Sequence, residues 1–169
     1  NIFEAKKNAV AKDSEKDTII YADEISYLKN EEKIFTKGKT KALIENKYKF
    51  DSENVSYHRN LGDLISQKKS SIEDENGNIY KLKNFIYNIN NEILKGNEIE
   101  VLAKVEGDKI DHFFFKEGFF NFKDKSHLAK NTKIKIHKDV FGDKNQDPRI
   151  YGSSSLSDQN KTVINNGIF

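Results

Sequence analysis

A thirty-residue interval recurs in this chain and leaves little freedom in what it can fold into. Tyr27, Tyr57 and Tyr87 stand thirty residues apart, and Ile25, Val55 and Phe85 keep the same step two positions earlier. So do Ile20, Phe50 and Tyr80, then Ile34, Leu64 and Leu94, then Ala42, Ile72 and Leu102. With 36% apolar residues, a column is apolar three times over by chance roughly one time in twenty, so about 1.5 are expected in thirty positions. Five are found. An Asn column, Asn30, Asn60 and Asn90, falls where each unit is expected to turn. A chain built this way is an array of like units, and its function must be one that an array serves.

Unit one runs from Thr18 to about Asn46, unit two to about Gly77 and unit three to about Gly107, so that 18–107 holds three repeats. In each, β-branched and aromatic residues alternate with polar ones between Asn or Gly clusters, which reads as strand, tight turn, strand, tight turn. The Asn76-Gly77 pair between Ile72 and Ile79 predicts a type I′ hairpin turn, with Asn46-Lys47 as its degenerate counterpart. Residues 91–104 have some helical character, but Gly96 and Asn97 interrupt it and the repeat makes it strand.

The parity of the columns is informative, because residues two apart in a strand share a face and a slip of one reverses faces. Ile20 and Ala22 are even, whereas Ile25 and Tyr27 are odd. Phe50 against Val55 and Tyr57, and Tyr80 and Leu82 against Phe85 and Tyr87, reverse at the same place. One extra residue near Asp23-Glu24, Glu53-Asn54 and Lys83-Asn84 keeps both halves of each strand on one apolar face, as a β-bulge does while bending the strand. A bend is therefore predicted in all three units, the alternative being two separate short strands.

Residues 1–17 read as an incomplete leading unit with an edge strand, whose outer side is unpaired in isolation. Residues 108–140 hold the most aromatic stretch, with Ile110, Phe113, Phe114, Phe115, Phe119, Phe120 and Phe122 around Gly118. Phe on both faces implies a strand buried on two sides or bulged at Gly118. Thr132 to Lys138 alternates as a half-buried strand should. Residues 141–169 read as a Gly, Asn, Asp and Ser-rich connector through Asp158, containing Pro148, then a last strand from Thr162 to Phe169.

Composition limits the interior and the chemistry. Charged residues make up 33% and the apolar share is low, so an elongated, thin-walled protein is expected rather than one with a thick core. The basic residues are 27 Lys beside Arg59 and Arg149, with 19 Asn, a bias that an AT-rich genome explains. A net charge of +2 with interspersed signs is a weak footprint for nucleic acid, and none is expected as a partner. There is no Cys, so no disulfide, thiol nucleophile or cysteine zinc site is available. No apolar run is long enough to span a membrane as a helix. The N-terminus is not a signal peptide, and the lack of an initiator Met with abrupt ends suggests a processed or excised fragment.

His58, His112, His127 and His137 lack metal-ligand spacing and read as surface or rim residues. Asp143-Lys144-Asn145-Gln146-Asp147 opens like a calcium loop, but Pro148 replaces the required Gly and Ser154 the bidentate Glu, which leaves a polar turn. No phosphate loop or nucleophile elbow occurs, and Ser153-Ser154-Ser155 has no activating context. No metal or cofactor is expected, and although Asp and Glu are plentiful enough for a carboxylate pair to meet in space, nothing in the sequence singles one out as catalytic. The aromatic and aliphatic columns remain. Ordinarily such residues are core, but a thin repeat that does not close on itself leaves a lined groove suited to an elongated, greasy ligand. Its candidate lining is Ile20, Ile25, Tyr27, Ile34, Phe50, Val55, Tyr57, Leu64, Tyr80, Leu82, Phe85, Tyr87, Leu94, Phe114, Phe120 and Phe122. Asp23-Glu24 read as the hinge of the bend rather than as catalytic carboxylates.

With Ala22-Asp23-Glu24-Ile25-Ser26-Tyr27, Asp74-Glu75-Asn76-Gly77-Asn78-Ile79-Tyr80, Gln146-Asp147-Pro148-Arg149 and the closing Thr162 to Phe169, the whole chain resembles the OstA-like periplasmic domains of lipopolysaccharide transport. These are the modules LptA and LptC and, closest in pattern, the N-terminal domain of the LptD family. The resemblance implies an open, V-shaped β-jellyroll of two facing antiparallel sheets that holds lipopolysaccharide acyl chains. It also implies an LptA-like module joined at the N-terminal sheet edge, an outer-membrane barrel with an LptE-like lipoprotein beyond this chain, a periplasmic location in a Gram-negative bacterium, and no catalysis. Two other readings are weighed beside it. One is a polysaccharide-active β-solenoid enzyme, which needs stacked parallel rungs and an exposed carboxylate cluster. The other is a scaffold or adhesive repeat with a filled core.

Overall fold

The computed structural model describes residues 1–143 and 145–169. The strands are β1 (Ile2–Asp13), β2 (Thr18–Leu28), β3 (Lys33–Ile44), β4 (Tyr48–Glu53), β5 (Ser56–His58), β6 (Asp63–Ser66), β7 (Ser70–Glu73), β8 (Ile79–Asn88), β9 (Ile93–Lys104), β10 (Ile110–Asn121), β11 (Ser126–Lys135), β12 (Arg149–Ser157) and β13 (Thr162–Asn165). A single 3-10 turn, Lys29–Glu31, is the one helical element among the described residues. Every ladder among them is antiparallel. The protein is therefore all-β, and one thirty-residue unit is one up-and-down pair of strands.

The bends fall where parity places them. Buried side chains run Thr18, Ile20, Ala22 and then Ile25 in β2, Phe50 and Ser52 in β4, then Val55 in the link and Tyr57 in β5, and Leu82 and then Phe85, Tyr87 in β8. The β2–β3 register shifts between Ala22 and Glu24, the β8–β9 register shifts on both sides of Lys83, and Asn54 and Asn84 both take φ 49°. In unit two the break is complete and separates β4 from β5. Neighbouring strands turn at the same height, through Lys7-Asn8, Gly38 (φ 79°), Glu98 (φ 48°) and Asn131 (φ 50°). Asp23 accepts the Lys39 N–H at 3.2 Å and Asn54 accepts the Gly38 N–H at 2.9 Å, tying this crease from the strands on either side of β3.

The crease gives each strand two limbs, one carrying Ile20, Phe50 and Tyr80, the other Tyr27, Tyr57 and Tyr87. On the first limb β3 pairs β4, β4 pairs β7 and β7 pairs β8; on the second β3 pairs β5, β5 pairs β6 and β6 pairs β8. The hydrogen-bond ring therefore closes, and β3, β4, β7, β8, β6 and β5 form a six-strand barrel with the other strands outside it. Closure fills the middle of the molecule more than a thin wall implies, because Tyr and Phe from both limbs meet there. The shape is still extended: the surface is 10359 Å², against roughly 8,500 Å² for a compact protein of this mass.

Four local expectations need correction. At Asp74–Asn78 only Gly77 is left-handed (φ 77°), so the pair is not a type I′ turn, which needs positive φ at both central residues. The Asp74 carboxylate instead accepts the N–H groups of Asn76 and Asn78, both at 2.9 Å. The consecutive left-handed pair lies one repeat earlier, at Glu45 (φ 49°) and Asn46 (φ 53°). Arg149–Ser157, read as connector, is strand β12 along the whole of β11; pairing overrides its poor propensity, with Ser155 fully buried. The last strand is shorter than expected, with β13 ending at Asn165. Leu102 leaves the fifth column, since the irregularity at Glu98 puts Ile99 and Val101 on the inner face instead.

Candidate functional site

Cross-strand register assembles the apolar columns into two rows. On the second limb Phe3, Tyr27, Ile34, Tyr57, Leu64, Tyr87, Leu94, Phe120 and His127 stand opposite one another in succession. On the first limb the succession is Ala11, Ile20, Ala42, Phe50, Ile72, Tyr80, Val101, Phe113 and Ile134. The rows face each other across the interior. The Phe50 ring lies 5.0 Å from Tyr87 and 5.8 Å from Phe85, and Tyr48 lies 5.7 Å from Tyr87.

Of the sequence candidates, Ile20, Ile25, Ile34, Phe50, Val55, Tyr57, Leu64, Leu82, Phe85, Tyr87, Leu94 and Phe120 are buried in one cluster, with Tyr27, Tyr80 and Phe122 packed against it half-buried. Phe114 is the exception. β10 skips a residue at Lys116, two positions before Gly118, and the inner face takes Phe113 and Phe115 on one side of the skip and Phe120 and Phe122 on the other. Phe114 therefore points out, with the Lys133 ammonium 5.8 Å from its ring centre. Gly118 faces inward, where a Cβ would strike the Phe120 ring and Ile99.

Within the barrel the rows pack on each other, and Tyr57, Leu64, Ile72, Phe85 and Tyr87 are almost wholly buried. Past β8 the limbs part around a cavity of about 540 Å³, lined by Tyr48, Tyr80, Val101, Phe113, Phe115, Phe120, Phe122 and His127, with Asp74, Glu75, Lys104, Lys125, Ser126, Ser157 and Thr162 towards its mouth. The lining rings contact one another, Tyr80 with Phe122 at 4.9 Å and Phe115 with Phe120 at 5.7 Å. Tyr48, Val101, Phe113, Phe115 and His127 are absent from the sequence candidates. Tyr48 is one step before Phe50 on the same face, a signal that was present. His127, read as surface, is half-buried between Phe115 and Phe120, with ring distances of 5.3 and 5.6 Å, and only the β10–β11 register reveals that.

The limb tips meet along a seam whose fastening changes along the molecule. At the N-terminal end Asp13, with 2% of its side chain exposed, accepts from Tyr57 Oη at 2.8 Å and Arg59 Nε at 3.0 Å, while Arg59 also reaches Glu32 at 2.6 Å. Burial works against the Asp13 charge, but the hydrogen bonds from Arg59 and Tyr57 and the guanidinium charge outweigh it and hold the carboxyl below its ordinary range. Next, Lys16 bonds Asn90. Then Tyr48 Oη donates to Glu92 at 2.7 Å; burial first, then the Glu92 bond, push this phenol's pKa up. Beyond it the tips 74–78 and 121–126, which flank the cavity mouth, share no hydrogen bond or ion pair among the described residues.

A larger hollow of about 930 Å³ lies on the outer face of the first limb. Its lining includes cross-strand ion pairs, Lys49 with Glu73 at 3.2 Å, Lys81 with Glu100 at 3.3 Å and Lys83 with Glu98 at 2.6 Å. Solvated pairs of this kind cancel one another and contribute little, so the site is placed in the interior. No group of His, Asp and Glu among the described residues is arranged to hold a metal. Lys144 of the calcium-like segment lies outside the described residues, and beside it Asp143 accepts the Asn145 N–H at 2.9 Å. No protein-family model matches the chain, and no curated protein matches it.

Proposed function

We propose that this chain is a non-enzymatic lipid conduit, which receives lipopolysaccharide in the periplasm and passes its acyl chains along the apolar interior towards an outer-membrane barrel. The observation that carries the reading is the aromatic cavity continuous with two facing rows of apolar side chains. Alkyl chains need such a lining, worth about 0.8 kcal/mol per methylene removed from water, and need no directional contacts within it. On this reading the creased limbs are the two facing sheets of an OstA-like jellyroll of the LptD kind. The unfastened tips 74–78 and 121–126 are where it opens, and edge strand β1 accepts a neighbouring LptA-like module by strand addition. The LptE-like lipoprotein would be met through the barrel. A volume of about 540 Å³ lies within the range of single small-ligand pockets, roughly 300–1,000 Å³, so a lipid with several chains requires the seam to part.

The antiparallel ladders disfavour the solenoid enzyme, whose rungs are parallel. The scaffold reading draws support from the filled barrel and is the one to test against. Titration of the purified chain with fluorescent lipopolysaccharide is expected to show saturable binding, displaced by a single-chain detergent below its micelle threshold and weakened at least tenfold by Phe122→Asp. A folded chain that binds neither amphiphile would leave the scaffold.

A further inference from the structure

On the cavity wall His127 sits among Phe115 and Phe120, and behind it Ser155 and Thr132 continue a chain of hydrogen bonds. Thr132 Oγ1 donates to Ser155 Oγ at 2.8 Å, and Ser155 Oγ lies 3.1 Å from His127 Nε2. Thr132 and Ser155 are buried, Ser155 completely. A serine hydroxyl has a single proton. Having accepted from Thr132, Ser155 uses that proton by donating to Nε2, the arrangement in which no proton of the two hydroxyls is wasted. The imidazole proton then sits on Nδ1. Nδ1 has no hydrogen-bond partner among the described residues and is not sealed from the cavity that His127 lines. Burial lowers the pKa of this imidazole, which keeps it neutral at neutral pH.

Resting on the lipid reading above, we propose that His127 is a specificity residue of the cavity, whose Nδ1–H donates to the carbonyl oxygen of an ester- or amide-linked acyl chain. The methylene tail then runs over Phe115 and Phe120, whose rings flank the imidazole. A site that presents an N–H inside an apolar wall penalises a ligand that leaves it unpaired. An alkyl chain joined through an ether, with the same length and greasiness but no carbonyl, is the ligand it should reject.

The test compares a 1-acyl-lysophosphatidylcholine with its 1-O-alkyl analogue of equal chain length, by calorimetry on the intact chain. The wild type is expected to bind the acyl lipid roughly 3- to 10-fold more tightly, as one neutral hydrogen bond allows. His127→Phe, which keeps the aromatic packing, is expected to bind both lipids with the affinity the wild type shows for the ether. His127→Asn, whose amide supplies an N–H near the same position, is expected to recover part of the preference. Equal affinities in the wild type, or a preference that survives His127→Phe, would overturn the assignment of His127 while leaving the conduit standing. Failure of a folded wild type to bind either lipid would overturn both.

Discussion

Tyr57 and Tyr87 occupy equivalent places one repeat apart, and their hydroxyls meet opposite fates. Tyr57 Oη donates to Asp13, whereas Tyr87 Oη is buried with no partner. Removing a bonded hydroxyl costs about 1 kcal/mol, and removing an unsatisfied buried one costs nothing or is a gain. Urea unfolding should therefore show Tyr57→Phe less stable by about 1 kcal/mol and Tyr87→Phe unchanged or more stable; the reverse order would contradict the assigned partners. The same cluster sets a pH dependence. Asp13 is held below its ordinary pKa of about 4, so its stabilisation is complete above that value and lost as pH falls through the lower folded one. Asp13→Asn should remove that acid-side loss and lower stability at neutral pH by about 2 kcal/mol, as read from urea curves between pH 3 and 7. The tyrosine column was legible in the sequence. The partner of each hydroxyl was not, because Asp13 lies 44 residues from Tyr57 in an incomplete leading unit with no column of its own.

At the scale of the element, the crease is the feature that alternation alone discloses. Parity moved from even to odd between Ala22 and Ile25, Ser52 and Val55, and Leu82 and Phe85, and each strand turns there. Gly38 shows what the crease demands of its residues. It combines φ 79° with a close approach of the Asp23 carboxylate, whereas Asn84 sustains φ 49° with a side chain. Gly38→Ala should cost roughly 1–2 kcal/mol from left-handed strain and also displace the Asp23 bond to Lys39. Asn84→Gly should stay within about 0.5 kcal/mol of the wild type. Equal effects of the two on the thermal midpoint would remove the distinction. Where the elements were misread, tertiary pairing had the deciding role. β12 has a serine-rich sequence that suits a loop, and its strand state comes from β11 beside it. Phe114 was placed inside because the skip at Lys116 cannot be located when both faces carry Phe.

At the scale of the molecule, the decisive property is how far the two limbs are held together. Closure into a six-strand barrel was not legible, since it depends on β4 separating from β5, and β6 from β7, while β3 and β8 run on through the crease. The columns say which side chains face inward, not whether the facing row touches them. The seam is the corresponding test of mechanics. The Tyr48–Glu92 bond is the last fastening before the cavity, with the Tyr48 ring stacked on Phe122 at 5.2 Å. Glu92→Gln weakens the bond and keeps the volume. Amide exchange in β4 and β7 should quicken several-fold in this variant, with global stability lowered by no more than about 1 kcal/mol. Unchanged exchange there would mean that ring packing alone holds the limbs.

The claim that the interior is a path for lipid is tested most directly by site-specific photo-crosslinking in cells making lipopolysaccharide. A benzophenone amino acid placed at Phe113 or Phe122, on the cavity wall, should capture lipopolysaccharide; at Phe114 or Phe119, on the outer face of the same strand, it should not. Equal capture at both pairs of positions, or capture at the outer pair alone, would contradict the account.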